Sequence, residues 1–173
     1  MQLSAPVWAL RQLGDILYCG DARGMLFAYS WSQLTANSAR LNDSKPVFEV
    51  SAFGVEPGKM NPHEVNSIET LGENKLIYGG AFDNAVRLAD SERPDKVIST
   101  FNGHEGNVNE LVTRSEHEFV SASEDGTVRV WDTRTAQASR LIRICDEPQL
   151  RRNGCGIGVC ALDICGSLMV IFQ

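Results

Sequence analysis

Residues 103–132 read GHEGNVNELVTRSEHEFVSASEDGTVRVWD, and their order decides the fold. The run opens on Gly103-His104 and closes on Trp131-Asp132, with Ser121, Asp125 and Gly126 between them. Polar turns at Ser115-Glu116-His117-Glu118 and around Asp125-Gly126 divide it into short strands. In the last of these, Val128 and Val130 alternate with Thr127 and Arg129, the pattern of a strand with one buried and one exposed face. Buried polar side chains need partners, and four residues here have complementary chemistry. A relay from the Trp131 indole N–H to the Ser121 hydroxyl, the His104 ring and the Asp125 carboxylate satisfies every donor. Ser123 is a second hydroxyl that fits the same place; Ser121 is favoured. On this reading the four residues hold a scaffold together and do no chemistry.

Four short antiparallel strands cannot bury their own faces, so units of this kind stack radially. The thirty residues have the layout of one WD40 unit, and weaker copies flank them. Five positions on from the turn residue Gly126 stands Trp131; the same step leads from Asn84 to Ala89 and from Gly24 to Tyr29. Asn84 to Gly126 is 42 residues, a WD40 period, whereas Gly24 to Asn84 is 60, which requires an insertion. The expected fold is an all-β WD40 β-propeller, with about three and a half blades present of a seven-bladed ring. The expected units are residues 6–31, 64–90, 103–132 and an incomplete 157–173, with insertion loops at 32–44 and 51–63. Outer strands are expected at 45–50, 97–101 and 140–144. Three units and part of a fourth leave a ring open, so the expectation is a fragment or truncated form of a longer product that aggregates or unfolds more easily than a closed propeller.

Hydrophobic residues make up 43% of the 173 and charged residues 22%, which fits a packed globular chain. No apolar run approaches the ~20 residues of a membrane span. The opening MQLSAPVWALRQL lacks the basic start and apolar core of a signal peptide. Reduced thiols are therefore expected for Cys19, Cys145, Cys155, Cys160 and Cys165, in the nucleus or cytosol. Net charge is −6, unevenly spread: residues 1–125 hold 10 Lys/Arg against 18 Asp/Glu, and residues 126–173 hold 6 against 4. A body this acidic argues against strong stand-alone nucleic-acid binding.

Nothing in the chain reads as a catalytic constellation. The glycines of Gly154-Cys155-Gly156-Ile157-Gly158 lead into a strand, not a helix, so they are a loop and not a phosphate cradle. Cys155, Cys160 and Cys165 recur every five residues without a nearby histidine, which reads as small buried thiols and not a metal site. His63 lacks the preceding glycine of the relay position, and His117 falls in a polar turn. No enzyme activity, metal or cofactor is expected.

Beyond the unit signature, particular details are informative in sequence. A first unit ends Tyr29-Ser30-Trp31, an insertion follows, and a second unit opens Glu64-Val65-Asn66 and continues ENKLIYGGAFDNAVRLAD without Trp-Asp. The third, SASEDGTVRVWDTRTAQ, is followed by Asn153-Gly154 and GIGVCALD. In order and irregularity the chain resembles the THO complex subunit 6 family, as an incomplete chain, although its tail MVIFQ departs from that family. The resemblance implies a propeller subunit of the THO/transcription–export assembly, nuclear, supporting messenger-RNA packaging and export. It implies docking to other subunits of that assembly, with RNA met mostly through them. Propellers bind through loop-rich faces with arginine and aromatic anchors, so candidate partner contacts are Arg23, Phe82, Arg87, Arg129 and Arg134. Phe82 also fits packing against a neighbouring blade. Two rival readings stand beside this one. Trp131-Asp132-Thr133-Arg134 fits the box by which substrate receptors meet the adaptor of a cullin-based ubiquitin ligase. Arg140, Arg143, Arg151 and Arg152 are the candidate contacts of a direct RNA binder.

Overall fold

The computed structural model describes residues 5–36, 45–54, 63–81, 83–135, 137–148, 150, 158–166 and 168–172. Three antiparallel sheets of four strands follow one another along the chain, then a pair. The first sheet comprises β1 (Val7–Leu13), β2 (Ile16–Asp21), β3 (Met25–Ser30) and β4 (Phe48–Ser51). The second comprises β5 (Val65–Leu71), β6 (Lys75–Gly80), β7 (Val86–Asp90) and β8 (Val97–Phe101). The third comprises β9 (Val108–Thr113), β10 (Glu118–Ser123), β11 (Thr127–Asp132) and β12 (Gln137–Arg143). The pair is β13 (Ala161–Cys165) and β14 (Leu168–Phe172). Within each sheet the strands lie in chain order, and the first strands β1, β5, β9 and β13 neighbour one another in turn. The sheets are therefore blades radiating from a shared inner edge.

Tight turns between the second and third strands set the repeat. They need one residue in the left-handed region, and Gly24 (φ 70°), Asn84 (φ 58°) and Gly126 (φ 77°) occupy it. Asparagine tolerates that conformation better than other side chains. An aspartate or serine beside each turn collects its loose backbone N–H groups. Asp21 accepts from the N–H groups of Arg23 and Met25, both at 2.9 Å, and Asp83 accepts from Ala85 at 3.1 Å.

The core lies in the seams between sheets. Tyr18, Leu26, Val65, Leu76 and Tyr78 fill the first seam, and Leu71, Ile77, Phe101, Phe119 and Trp131 fill the second. Val120, Val128, Val130 and Val159 fill the third. Close approach demands small residues: a Cβ on Gly20 would lie 2.4 Å from Val65 Cγ1 of the next sheet.

Several local expectations need correction. Thr127 is buried, not on an exposed face, because the third sheet has neighbours on both sides. Both faces of β10 are buried from Phe119 to Ser123 for the same reason. The outer strand expected at 45–50 is Phe48–Ser51, and that at 140–144 is Gln137–Arg143, with buried Ile144 opening a single 3-10 turn. A short helix, α1 (Trp31–Ala36), stands where a loop was expected. Asp15, from the β1–β2 turn, caps it by accepting from Ser32 N–H at 2.8 Å and from the hydroxyls of Ser30 and Ser32. Its Leu34 packs with Cys19, Phe27 and Tyr29 on the face of the first sheet turned away from the second. Cys160 and Cys165 are exposed rather than buried, since Cys160 precedes and Cys165 ends β13, whose sheet has two strands among the described residues; Cys155 lies outside those residues.

Candidate functional site

In the third blade the polar side chains form one continuous network. Trp131 Nε1–H donates to Ser121 Oγ at 2.8 Å, and Ser121 Oγ lies 2.7 Å from His104 Nε2. His104 Nδ1 lies 2.9 Å from Asp125 Oδ2. The indole can only donate, so the chain has one consistent direction: indole to serine, serine to imidazole, imidazole to carboxylate. His104 is then neutral with its proton on Nδ1. Burial lowers its pKa, and nearby Arg129 acts the same way against the opposing pull of Asp125. Burial alone would raise Asp125, but hydrogen bonds from Thr127, the Glu105 N–H and His104 outweigh it and hold the carboxyl at about 2. Thr127 supplies both its hydroxyl (2.6 Å) and its N–H (2.9 Å) to Asp125 Oδ1. Ser123 serves elsewhere, donating to Gly106 O at 3.1 Å and accepting from Asp125 N–H at 3.1 Å.

The corresponding place in the second blade is built differently. Asp83 occupies the position of Asp125, Arg87 that of Arg129 and Ala89 that of Trp131. Arg87 pairs with Asp83 and its guanidinium lies 4.7 Å from the centre of the Phe53 ring, a cation–π contact. His63 also packs on Phe53, with ring centres 5.0 Å apart, so it belongs to the seam and not to a relay.

The candidate partner-binding residues do not share one patch. Arg23 leans over Asp21 at 3.5 Å beside the β2–β3 turn and stays half-exposed. Arg87 keeps only 15% of its side chain exposed, which leaves little for a partner. Arg129 lies 5.9 Å from the Trp131 ring centre, and its Nε is buried without a partner among the described residues. Arg134, in the β11–β12 turn, is on the opposite face, because successive turns of an antiparallel sheet alternate ends. It is 67% exposed and folded onto Asp132, Nε to Oδ1 at 2.9 Å and Nη2 to Oδ2 at 2.6 Å. Those hydrogen bonds hold Asp132 at about 2. Arg140 and Arg143 are exposed on β12, while Phe82, Arg151 and Arg152 lie outside the described residues.

Three seam-crossing contacts had no sequence signal strong enough to be picked out. Asn66 Nδ2 donates to Val108 O at 3.0 Å, and Asn109 Nδ2 donates to Val159 O at 2.9 Å. Both asparagines sit at the bulge of an inner strand, where the extra residue turns its side chain toward the next blade. Ser67 Oγ donates to Glu110 Oε1 at 2.8 Å and accepts from Leu111 N–H at 3.1 Å. Near the β1–β2 end, Arg11 reaches across the first seam to Glu69 at 2.8 Å beside a cleft of about 750 Å³. Burial raises Glu69, and Arg11 opposes it. Among the described residues there is no group of three or more His, Cys, Asp or Glu that could hold a metal ion, and no helix long and apolar enough to cross a membrane.

Residues 95–132 match the family of the WD domain, G-beta repeat. The WD40 β-propeller domain of Doa1 superposes with a TM-score of 0.66 at 18% identity, covering 94% of this chain and 45% of that one. The WD40 repeats of RRP9 give 0.64 at 14% identity, covering 83% and 40%. These likenesses show the fold, an all-β WD40 propeller architecture. The Drosophila melanogaster THO complex subunit 6 is 27% identical over 88% of this chain and 43% of its own length. The THO complex subunit 6 homolog of Danio rerio is 32% identical over 83% of this chain and 44% of its own length. The chain is similar to THO complex subunit 6 over most of its own length. It spans less than half the length of these two relatives. Shorter matches reach other WD40 proteins, such as a guanine nucleotide-binding protein subunit beta of Arabidopsis thaliana, 34% identical over 50% of this chain and 24% of that protein. The THO relatives differ from that match in covering 83–88% of this chain instead of half of it.

Proposed function

We propose that the chain is a non-catalytic WD40 scaffold of the THO/transcription–export complex, supporting messenger-RNA packaging and nuclear export through protein–protein contacts in the nucleus. The observation that carries this reading is the run of THO complex subunit 6 relatives from fly, plant and fish across 73–88% of the chain. The chemistry of the third blade is consistent with it. His104 and Asp125, the pair most suggestive of acid–base work, use their hydrogen-bonding capacity on Ser121, Thr127 and Glu105, and His104 is buried. A group saturated by its own fold holds the fold; it has no lone pair or proton free for a substrate. RNA is met mostly through partner subunits.

The test is to tag the endogenous gene product, purify it from nuclear extract with and without nuclease, and identify what co-purifies by mass spectrometry. Nuclease-resistant recovery of the other THO subunits is expected. Recovery of a cullin and its adaptor without THO subunits sinks this reading and turns attention to Arg134. Loss of the THO subunits on nuclease treatment makes the association RNA-borne and sinks the scaffold role.

A further inference from the structure

Among the described residues five arginines are engaged by carboxylates: Arg11 by Glu69, Arg23 by Asp21, Arg87 by Asp83, Arg114 by Glu118 and Arg134 by Asp132. Arg140 and Arg143 have no such partner among the described residues, and both are exposed. They share one strand, β12, in a chain whose net charge is −6. That strand is the outer edge of its sheet, paired on one side only among the described residues. With seven residues it is longer than the other outer strands, β8 with five and β4 with four.

An edge strand offers a row of backbone donors and acceptors to any extended chain that lies beside it. Side chains then choose which chain is accepted. Arg143 stands opposite Thr127 and Leu141 opposite Arg129, on one face of the sheet, whereas Arg140 stands opposite Val130 on the other. Leu141 is 39% exposed, an apolar contact between two positive charges along the strand. We propose that β12 is a docking edge for an extended protein segment carrying two acidic residues three positions apart with an apolar residue between them. The segment adds to the blade as a fifth strand: its acids, lying on opposite faces, meet Arg140 and Arg143, and its apolar side chain meets Leu141.

RNA is the competing anion, and the edge suits it less well. Single-stranded RNA binds by stacking bases on aromatic rings beside a basic track. The exposed aromatics among the described residues are Trp8, Trp31 and Phe172, on β1, α1 and β14, and none is on β12 or its partner β11.

The probe is a fluorescein-labelled peptide of threonine and valine carrying two glutamates three positions apart, titrated with the full chain and read by anisotropy. A second copy of the probe is N-methylated at alternate backbone nitrogens, which removes its strand-pairing donors and keeps its charge. Saturable binding of the plain probe is expected, weakened at least about tenfold in the double variant Arg140→Glu/Arg143→Glu and restored in Arg140→Lys/Arg143→Lys. The N-methylated probe should lose binding to the same extent, and amide exchange over Gln137–Arg143 should slow when the plain probe is bound. Three results each overturn the proposal: no saturable binding, equal binding of the N-methylated probe, or loss of oligouridylate binding in the glutamate variant with peptide binding unchanged. The proposal is independent of which complex the chain joins, so the purification above can fail while this edge still binds, and the reverse.

Discussion

His104 keeps its place as a neutral ring, and that has a pH signature. Its folded pKa is lowered, so on acidification the unfolded chain takes up the proton first. The stability it contributes is complete above the ordinary histidine value of 6.5 and declines as pH falls below it. Asp125 acts lower on the scale: held at about 2 against an ordinary 3.8, its contribution is present above 3.8 and is lost as pH falls toward 2. Urea midpoints measured from pH 7 to pH 3 should show a shallower decline near pH 6 in His104→Gln and near pH 3 in Asp125→Asn. Asp125→Asn should also lower stability at pH 7 by about 1–3 kcal/mol, since four donors lose a charged acceptor. Arg134→Ala should leave the urea midpoint unchanged, because its ion pair with Asp132 is solvent-exposed and screened. The relay's members were readable because their side-chain types and spacing coincide with the layout of one unit. Thr127's second role was not readable: an alternating strand pattern marks Thr127 as outward, and only the neighbouring blade makes that face an interior.

At the scale of elements, register and close approach decide what the strands tolerate. Gly80 ends β6 where β5 has its bulge, and a Cβ there would lie 1.6 Å from the carbonyl oxygen of Glu64. A backbone atom cannot rotate away, so Gly80→Ala should destabilise by about 1–3 kcal/mol or more, measured by chemical denaturation. Asn66→Ala removes one hydrogen bond across the second seam and leaves Val108 O to find water. A loss of about 1 kcal/mol is expected, together with faster amide exchange at the start of β9. That effect should not spread to β1 or β2, which Asn66 does not staple. Strand positions followed from turn residues and apolar runs, but the outer strands β4 and β12 slipped by one to three residues. Their sequences alternate weakly because the outer rim is half-exposed on both faces, so pairing with β3 and β11 sets their limits instead of burial. Helix α1 was missed for a different reason: Ser30 caps Gln33 N–H locally only at 3.3 Å, while the shorter cap bond, 2.8 Å to Asp15, comes from the β1–β2 turn, outside a local reading.

Across the whole molecule, each seam contributes its own apolar cluster, and protection should follow how many neighbours a strand has. β10, with paired strands on both sides and buried faces, should exchange its amides slowest. β14, an exposed member of a two-stranded sheet, should exchange fastest of the described strands, as hydrogen exchange read by mass spectrometry would show. The reverse order would mean that the seams do not govern local opening.

The sequence by itself determined the repeat, the left-handed turn positions, the outer strand Val97–Phe101 and the likeness to THO complex subunit 6, because each depends on residue type at a fixed separation along the chain. Only the tertiary structure decided which side chains are free. Arg87 and Arg129 read as surface cations, yet both lie in seams over aromatic rings; Arg140 and Arg143 belong to the same basic stretch and stand unpaired on an edge. The difference between them is place in the sheet: Arg87 and Arg129 sit on third strands flanked on both sides, Arg140 and Arg143 on the edge strand β12. Which strand ends a sheet is settled by pairing and packing between segments, and that leaves no mark on the local pattern.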